Sequence, residues 1–152
     1  MNLTLEKVAF TGMLSALLIY LEQLIIPVAI LLVAMTLDYV TGILAAKHRG
    51  QKIDSAKSIK GLDKKVAHLL LIVAGVILDC VLFYSINYFG FGVSMMFLAA
   101  IVIAVWLIIN ELISILENLK DSGAPIPSWL LPLVKNLKSK VENITPQSEK
   151  ER

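Results

Sequence analysis

Three long apolar stretches, each containing a single acidic residue, decide what this sequence can fold into. They cover residues 24–46, 66–89 and 93–116 and are 23 or 24 residues long. A helix of that length reaches about 35 Å at about 1.5 Å per residue, and the hydrocarbon core of a bilayer is about 30 Å thick. The pattern therefore predicts an all-α fold, a polytopic membrane helical bundle.

An additional stretch, residues 8–21, is uncharged but only 14 residues long. As a helix it reaches about 21 Å, which is short for a span. We favour a short fourth span, and a tilted or interfacial helix is the alternative. Glu22 and Gln23 separate it from the next stretch, where Pro27 suits the beginning of a helix. The bundle is thus predicted to have three or four transmembrane helices.

The composition excludes several classes of protein. Hydrophobic residues make up 57% of the 152 residues and charged residues 17%, against about 25% charged in soluble domains. A net charge of +2 is too small to indicate a nucleic-acid partner. The single cysteine, Cys80, excludes an internal disulfide. We expect one domain in a membrane.

A basic loop between the first two long stretches predicts the orientation. It contains seven basic residues and only two acidic residues, Asp54 and Asp63, which gives a net charge of +5. The positive-inside rule places such a loop in the cytoplasm, so the C-terminus is cytoplasmic too, while the side of the N-terminus depends on residues 8–21. The basic residues are Lys47, Arg49, Lys52, Lys57, Lys60, Lys64 and Lys65.

The membrane domain is predicted to cover residues 1–118. The C-terminal region follows it, and Gly and Pro residues at its start interrupt the helical pattern. Residues 119–144 are predicted to form a cytoplasmic loop and an amphipathic helix, with Ser128 as its N-cap. That helix either lies on the inner leaflet, with Trp129 among the headgroups, or packs on the protein's own cytoplasmic loop. Residues 145–152 are polar and are predicted to be disordered.

The three acids within the apolar stretches are Asp38, Asp79 and Glu111. A charge at the bilayer centre costs about 2.5–3.5 kcal/mol on insertion scales, so each acid needs a partner. Lys64, Lys65 and His68 enter the second span at the depth of Asp38 and Glu111 and can reach them. No base lies at the depth of Asp79, which predicts that it is protonated or hydrogen-bonded across an interface.

Small and polar residues share helix faces with these acids, and such faces are better buried against another helix than exposed to lipid. We predict that these faces assemble helices, in the same or another chain. The candidate intramembrane polar and assembly residues are Asp38, Thr41, Gly42, Gly75, Asp79, Asn110, Glu111, Ser114 and Glu117.

Sequence motifs for chemistry are missing. His48 and His68 are 20 residues apart, with no cysteine or acid at ligand spacing, which argues against a metal site. There is no nucleophile elbow, phosphate-binding loop or dinucleotide fingerprint. We therefore predict neither an enzyme nor a cofactor.

An ordered set of motifs resembles a known family. The chain is similar to phage holins of the toxin-secretion and phage-lysis group over roughly residues 28–140. The motifs are Asp38-Tyr39-x-Thr41-Gly42-x-Leu44-x-Ala46, Ser55 or Ser58, Gly61, Lys64-Lys65, Asp79, Asn110-Glu111-x-x-Ser114-Ile115-x-Glu117-Asn118 and Gly123-x-Pro125-Ile126-Pro127.

This resemblance implies a multi-pass protein of the host bacterial cytoplasmic membrane. It implies a homo-oligomer that opens lesions in the bilayer, through which an endolysin, with or without direct contact, escapes and lyses the host. An antiholin is a further possible partner. Three alternatives stay open: a toxin-export protein of the same family, an antiholin-like regulator, and a small ion channel or transporter subunit.

Overall fold

The computed structural model describes residues 2–51, 55–89 and 99–143, and within these ranges all regular structure is helical. The described residues form four helices: α1 (Asn2–His48), α2 (Ser55–Phe89), α3 (Ala99–Asp121) and α4 (Leu130–Glu142). In this part of the chain, three helical segments are long and apolar enough to cross a membrane, namely Leu18–His48, Gly61–Ile86 and Ala99–Asp121. The predicted helical bundle and its additional C-terminal helix are confirmed.

Helix α1 is continuous, so the predicted break between residues 8–21 and 24–46 is wrong. Pro27 lies inside the helix and does not begin one. It can remove only one hydrogen bond, to the carbonyl of Gln23, and membrane helices tolerate this loss. Because residues 8–21 belong to α1, they do not form a separate fourth helix. The whole of α1 is about 70 Å long.

Two other predicted boundaries also change. Helix α2 begins at Ser55, so Lys57, Lys60, Lys64 and Lys65 are helical and do not belong to a loop. Lysine is a good helix former, which explains this extension. Helix α3 continues to Asp121, beyond the predicted end at residue 116. Residues 93–98 of the predicted third span, Lys52, and the tail at 145–152 lie outside the described residues.

Helix α3 is the centre of the bundle. It packs against α1, α2 and α4, whereas the backbones of α1 and α2 barely approach each other. Leu31 of α1 and three residues of α3, Ala100, Ala104 and Leu107, are completely buried. Much of the apolar surface of α1 and α2 is exposed, as expected for helices that face lipid.

A close approach joins α2 to α3 at Gly75. A Cβ atom at this position would lie 2.9 Å from the Cα of Ala100 and 2.8 Å from the side chain of Ile103. Only glycine leaves room for this contact, and membrane helices commonly pack through such small residues. The predicted small-residue face at Gly75 therefore joins two helices of the same chain.

Helix α4 turns back along α3, and its start differs from the prediction. It begins at Leu130 with Trp129 as the N-cap residue and no side-chain cap, so the predicted cap by Ser128 is wrong. The turn is closed by the backbone, because the Leu130 N–H donates to the Pro127 carbonyl. Val134 is buried against the bundle, whereas Leu133 and Leu137 are exposed. The surface that holds α4 is thus α3.

Candidate functional site

Lys65 joins three helices at the end of the bundle that carries the basic segment. Its Nζ atom donates to Oδ2 of Asp38 in α1 at 2.9 Å and to Oε2 of Glu111 in α3 at 2.8 Å. All three side chains are largely buried, at 16%, 19% and 6% exposed. The predicted approach of Lys65 to these two acids is present in the structure. Nδ1 of His68 lies 3.3 Å from Oε1 of Glu111. We refer to Asp38, Lys65, His68, Glu111 and Asn118 as the Lys65 cluster.

Asn118 completes this cluster from α3. Its Nδ2 atom donates to Oδ1 of Asp38 at 3.1 Å and lies 3.4 Å from Oγ1 of Thr41. A Cβ atom at Gly42 would stand 3.6 Å from Nδ2 of Asn118, so the glycine leaves space for the amide. Thr41 and Gly42 thus border Asn118, which was not among the predicted assembly residues. Asn118 could have been predicted because it follows Ser114 by one helical turn, on the same face as Glu111.

A small crevice adjoins the Lys65 cluster. It has a volume of about 100 Å³, and Asn110 and Ser114 line it beside Asp38, Lys65 and Glu111. Its other lining residues are Gly61 and Lys64. That volume is enough for a few water molecules, at about 30 Å³ each. Asn110 and Ser114 therefore belong to the same polar region as the acids.

Asp79 forms a second polar centre, and it is only 3% exposed. Its Oδ2 atom accepts hydrogen bonds from Tyr20 Oη at 2.9 Å and from the Ala100 N–H at 3.0 Å, while Oδ1 accepts from the Ala99 N–H at 3.0 Å. Ala99 and Ala100 begin α3, where backbone N–H groups lack helical partners and the helix dipole favours a negative charge. All three partners donate, so the Asp79 carboxylate is the common acceptor that joins α1, α2 and α3.

The structure thus places Asp79 at a hydrogen-bonded interface between helices, one of the two arrangements predicted for it. That interface lies within one chain. We refer to Tyr20, Asp79 and the Ala99 and Ala100 N–H groups as the Asp79 cap. Tyr20 was missed because it lies 59 residues from Asp79.

The two polar centres lie on either side of an apolar layer. Along α2, Lys65 and Asp79 are 14 residues apart, or about 21 Å, and along α3 Glu111 and Ala99 are about 18 Å apart. Leu31, Met35, Ile72 and Leu107 are buried between them. Since a hydrocarbon core is about 30 Å thick, two centres this far apart within it lie in opposite halves of the bilayer.

Aromatic residues lie on α2 beyond Asp79. Tyr84, Tyr88 and Phe89 are exposed, and the Tyr84 and Tyr88 rings stack with centroids 6.1 Å apart. From Lys65 to Tyr84 the helix rises about 28 Å, close to the thickness of a hydrocarbon core. Tyrosines at this distance are typical of a membrane interface.

Exposed ion pairs join the ends of the helices. Glu117 of α3 pairs with Lys135 of α4 at 2.8 Å, and both side chains are 52% exposed. Arg49 pairs with Asp121, which ties the end of α1 to the end of α3. Exposed pairs of this kind contribute about 1 kcal/mol or less. Glu117 therefore pairs with α4 and is not part of either polar centre. Lys47, another predicted basic residue, is exposed at the end of α1.

Trp106 provides a further polar contact between α3 and α4. Its Nε1 atom donates to Oε1 of Glu142 at 3.1 Å, and the ammonium of Lys138 lies 5.9 Å from the centroid of its ring. Lys138 also approaches Glu142 at 3.8 Å. The C-terminal turn of α4 is thus held beside the apolar part of α3 through paired charges.

Comparison with known proteins decides the family. The sequence model of the bacteriophage holin family matches residues 10–139. The chain belongs to the bacteriophage holin family. It is therefore a multi-pass membrane protein of a kind that is not generally enzymatic. The matched region includes all four helices in part or in full, both polar centres and the pair of Glu117 with Lys135.

Relatives of this holin-family chain occur in several bacteria. An uncharacterized protein of Clostridium perfringens is 34% identical over 114 residues, which cover 75% of this chain and 76% of the relative. An uncharacterized protein of Halalkalibacterium halodurans is 34% identical over 113 residues, or 72% and 76% of the two chains. One of Listeria monocytogenes is 33% identical over 107 residues, or 70% and 68%. No solved structure matches the chain.

The three intramembrane acids of this holin-family chain all have partners in the same chain. Asp38 and Glu111 share Lys65, and Asp79 accepts three hydrogen bonds. Each acid therefore has the partner that burial in a membrane requires, and no second copy of the chain is needed to provide it. Any assembly that uses their polar faces must first exchange these internal contacts for others.

Proposed function

We propose that this chain is a holin that oligomerises in the host cytoplasmic membrane and forms lesions through which an endolysin reaches the cell wall. Membership of the holin family and three apolar helices support this function. The observation that carries the proposal is the Lys65 cluster, because it stores two acids and a base inside a bundle of membrane helices.

The arrangement of α1 and α2 suggests how these polar groups become exposed. The two backbones barely approach each other, and an open groove of about 510 Å³ separates them beside Lys65. Leu32, Met35, Val66 and Leu69 line this groove with a few other side chains. Separation of α1 from α2 therefore breaks two hydrogen bonds, from Lys65 to Asp38 and from Tyr20 to Asp79, and little direct packing. In the proposed oligomer, the released polar faces line a water-filled opening.

The basic segment sets the proposed orientation. Lys47, Arg49 and the basic residues at the start of α2 lie at one end of the bundle, and the positive-inside rule assigns that end to the cytoplasm. Helix α1 makes one crossing, so the N-terminus lies on the opposite side. Cysteines introduced near residue 4 and in the 119–128 turn, in a Cys80→Ser background, should react with an impermeant thiol reagent from opposite sides.

Timed lysis tests the function directly. The chain is expressed in bacteria with a cytoplasmic endolysin, with an inactive endolysin, or alone, and culture density and release of a folded cytoplasmic reporter are followed. We expect abrupt lysis with the active endolysin only, together with loss of viability in all three cultures. Continued growth with the active endolysin would contradict the proposal.

Other outcomes identify the remaining functions. Ion currents without release of folded protein would favour a channel subunit, and delayed lysis upon coexpression with another holin would favour an antiholin-like regulator. Release of a coexpressed large toxin without lysis would favour toxin export. Crosslinking in the membrane before and after lysis should show growth from small species to large homo-oligomers, and no complex with the endolysin is required.

A further inference from the structure

The groove between α1 and α2 is lined by one stripe of side chains from each helix. Residues 32–39 of α1 and residues 62–69 of α2 each contribute four side chains, at three- and four-residue spacing. The walls are mainly apolar, because the Thr36 hydroxyl donates to the Leu32 carbonyl of its own helix. The volume of about 510 Å³ is within the range of about 300–1,000 Å³ that is usual for ligand sites. The groove is therefore large enough to hold an apolar part of a small molecule.

The shape of the two stripes favours an acyl chain over a helix from a second copy. Membrane helices pack closely through small residues, as α2 and α3 do at Gly75. Among the described residues, no glycine, alanine or serine lines the groove, and most of its side chains are as large as those of Met35 and Leu69. Bulky side chains keep another helix at a distance, whereas a flexible hydrocarbon chain adapts to the uneven surface between them.

The depth of the groove suits the part of a lipid where the acyl chain meets the headgroup. The rise from Lys65 to Tyr84 is about 28 Å, close to the thickness of a hydrocarbon core, so Lys65 lies near one edge of that core. From the level of Lys65 the groove extends about 6 Å into the core, to Leu69, and about 4 Å in the other direction, to Leu62. It therefore crosses the boundary between hydrocarbon and headgroups.

Charges at that end of the bundle favour an anionic headgroup. Lys57, Lys60 and Lys64 lie along the start of α2, and Lys47 is exposed near the end of α1, whereas Asp63 is the one acid in residues 55–65. Basic sites between membrane helices bind anionic lipid headgroups. The Lys65 ammonium is shared by two acids, so a phosphate is matched better by the other lysines of this segment.

We propose that this groove binds one anionic phospholipid, with an acyl chain between α1 and α2 and the phosphate among the lysines at the start of α2. Lys65 uses two of its three N–H groups for Asp38 and Glu111, and the third can donate to an ester carbonyl at that depth. The bound lipid fills the space that α1 and α2 leave between them, and it contacts both helices.

Native mass spectrometry of the full-length protein tests the site. The delipidated protein in detergent is titrated with phosphatidylglycerol or with phosphatidylcholine of the same chain length, and the lipids bound to each chain are counted. We expect the first phosphatidylglycerol to bind about tenfold more tightly than the first phosphatidylcholine. Equal affinities for the two lipids would overturn the proposal.

Val66→Phe places a larger side chain in the groove and should weaken phosphatidylglycerol binding by about tenfold. Val81→Phe is the matched control, because both valines are on α2 and half-exposed, at 50% and 55%, but Val81 lies outside the groove. Circular dichroism checks that both variants fold. Unchanged binding in Val66→Phe, or an equal loss in the two variants, would contradict the proposed position of the acyl chain.

Removal of two lysines tests the position of the headgroup. Lys60→Gln with Lys64→Gln should abolish most of the preference for phosphatidylglycerol and leave phosphatidylcholine binding unchanged. Lys120→Gln with Lys140→Gln is the control, since it removes the same charge from exposed positions on α3 and α4. An equal loss of preference in both double variants would indicate a general effect of net charge and overturn the assignment.

Photocrosslinking locates the lipid in a bilayer. Phosphatidylglycerol with a diazirine group near its ester carbonyl is incorporated with the full chain into nanodiscs, and the labelled peptides are identified. We expect label within residues 32–39 and 62–69. Label spread evenly along α1 and α2 would overturn the proposal. A change in the proportion of dimers in Val66→Phe, with unchanged lipid binding, would overturn it in favour of a second copy in the groove.

This lipid site does not depend on the proposed function. A chain that binds phosphatidylglycerol in the groove but never permits lysis with an active endolysin would contradict the holin function alone. A chain that lyses cells but shows no preference for the anionic lipid would contradict the lipid site alone.

Discussion

The Lys65 cluster and the Asp79 cap both stabilise buried carboxylates between membrane helices, but with different kinds of donor. Asp79 is a single carboxylate that accepts hydrogen bonds from three neutral donors, two of which are backbone groups at the start of α3. In the Lys65 cluster, two carboxylates depend on one long, flexible side chain. Backbone donors are fixed by the helix, whereas an ammonium can move between partners. The comparison suggests that the cap anchors the bundle and that the cluster is the adjustable part.

The strongest test of this comparison removes the charge on which both acids depend. Lys65→Met leaves Asp38 and Glu111 buried without a cation, and loss of one partner from a buried pair typically costs about 3–5 kcal/mol. We expect a decrease of that size in the free energy of unfolding, measured by reversible denaturation in mixed micelles. Lys64→Met is the matched control, because the exposed Lys64 lines the crevice without holding both acids.

Restoring charge balance sharpens this prediction. The double variant Lys65→Met with Glu111→Gln removes one of the two unpaired charges and should recover part of the lost stability. An equal or larger loss in the double variant would show that packing of the lysine stem, and not charge, dominates the Lys65 effect.

At the other centre, Asp79→Leu removes the acceptor of three hydrogen bonds. The N–H groups of Ala99 and Ala100 and the Tyr20 hydroxyl would lose their common partner, at a cost of about 3 kcal/mol for buried unsatisfied donors. Asp79→Asn keeps one acceptor oxygen and should cost less. Hydrogen exchange at the first turn of α3 should increase in both variants, and the exposed Asp63→Asn is the control.

The sequence predicted one of these centres better than the other. The approach of Lys65 to Asp38 and Glu111 followed from helix depth alone, because all three lie near the same end of apolar stretches. The Asp79 cap depends on where α3 begins, and the first described residue of that helix is Ala99, six residues after the predicted start. A backbone N–H group donates whatever side chain its residue carries, so the sequence could not predict that Ala99 and Ala100 bind Asp79.

The outline of the fold was also more predictable than its details. Long apolar stretches are sufficient to predict helices that cross a bilayer, but not whether two of them join into one. Glu22 and Gln23 are compatible with a helix, and Pro27 is tolerated in α1, so the interruption in hydropathy was not an interruption in structure. The position of α4 depends on contacts with Trp106 and Glu117, which its amphipathic pattern could not specify.

A steric change next to the Asp79 cap tests whether it is rigid. Gly75→Ala places a Cβ atom 2.9 Å from the Ala100 Cα, so α2 and α3 must separate slightly at the turn that binds Asp79. Overpacking of this kind costs about 1–3 kcal/mol. Gly61→Ala is the control, since nothing lies within 4 Å of its added methyl group. Equal stability of the two variants in thermal unfolding would mean that α2 and α3 can separate beside the cap at little cost in free energy.

The smallest expected effect comes from Tyr20→Phe, which removes one donor to Asp79 and leaves both backbone donors in place. A net loss of about 1 kcal/mol is typical for one hydrogen bond. If the backbone donors anchor the carboxylate, hydrogen exchange at Ala99 and Ala100 should change little, because Asp79 keeps both of its contacts with α3. A large increase there would show that α1 holds Asp79 against α3 through Tyr20. The cap would then depend on a movable side chain, as the Lys65 cluster does, and the contrast between the two centres would disappear.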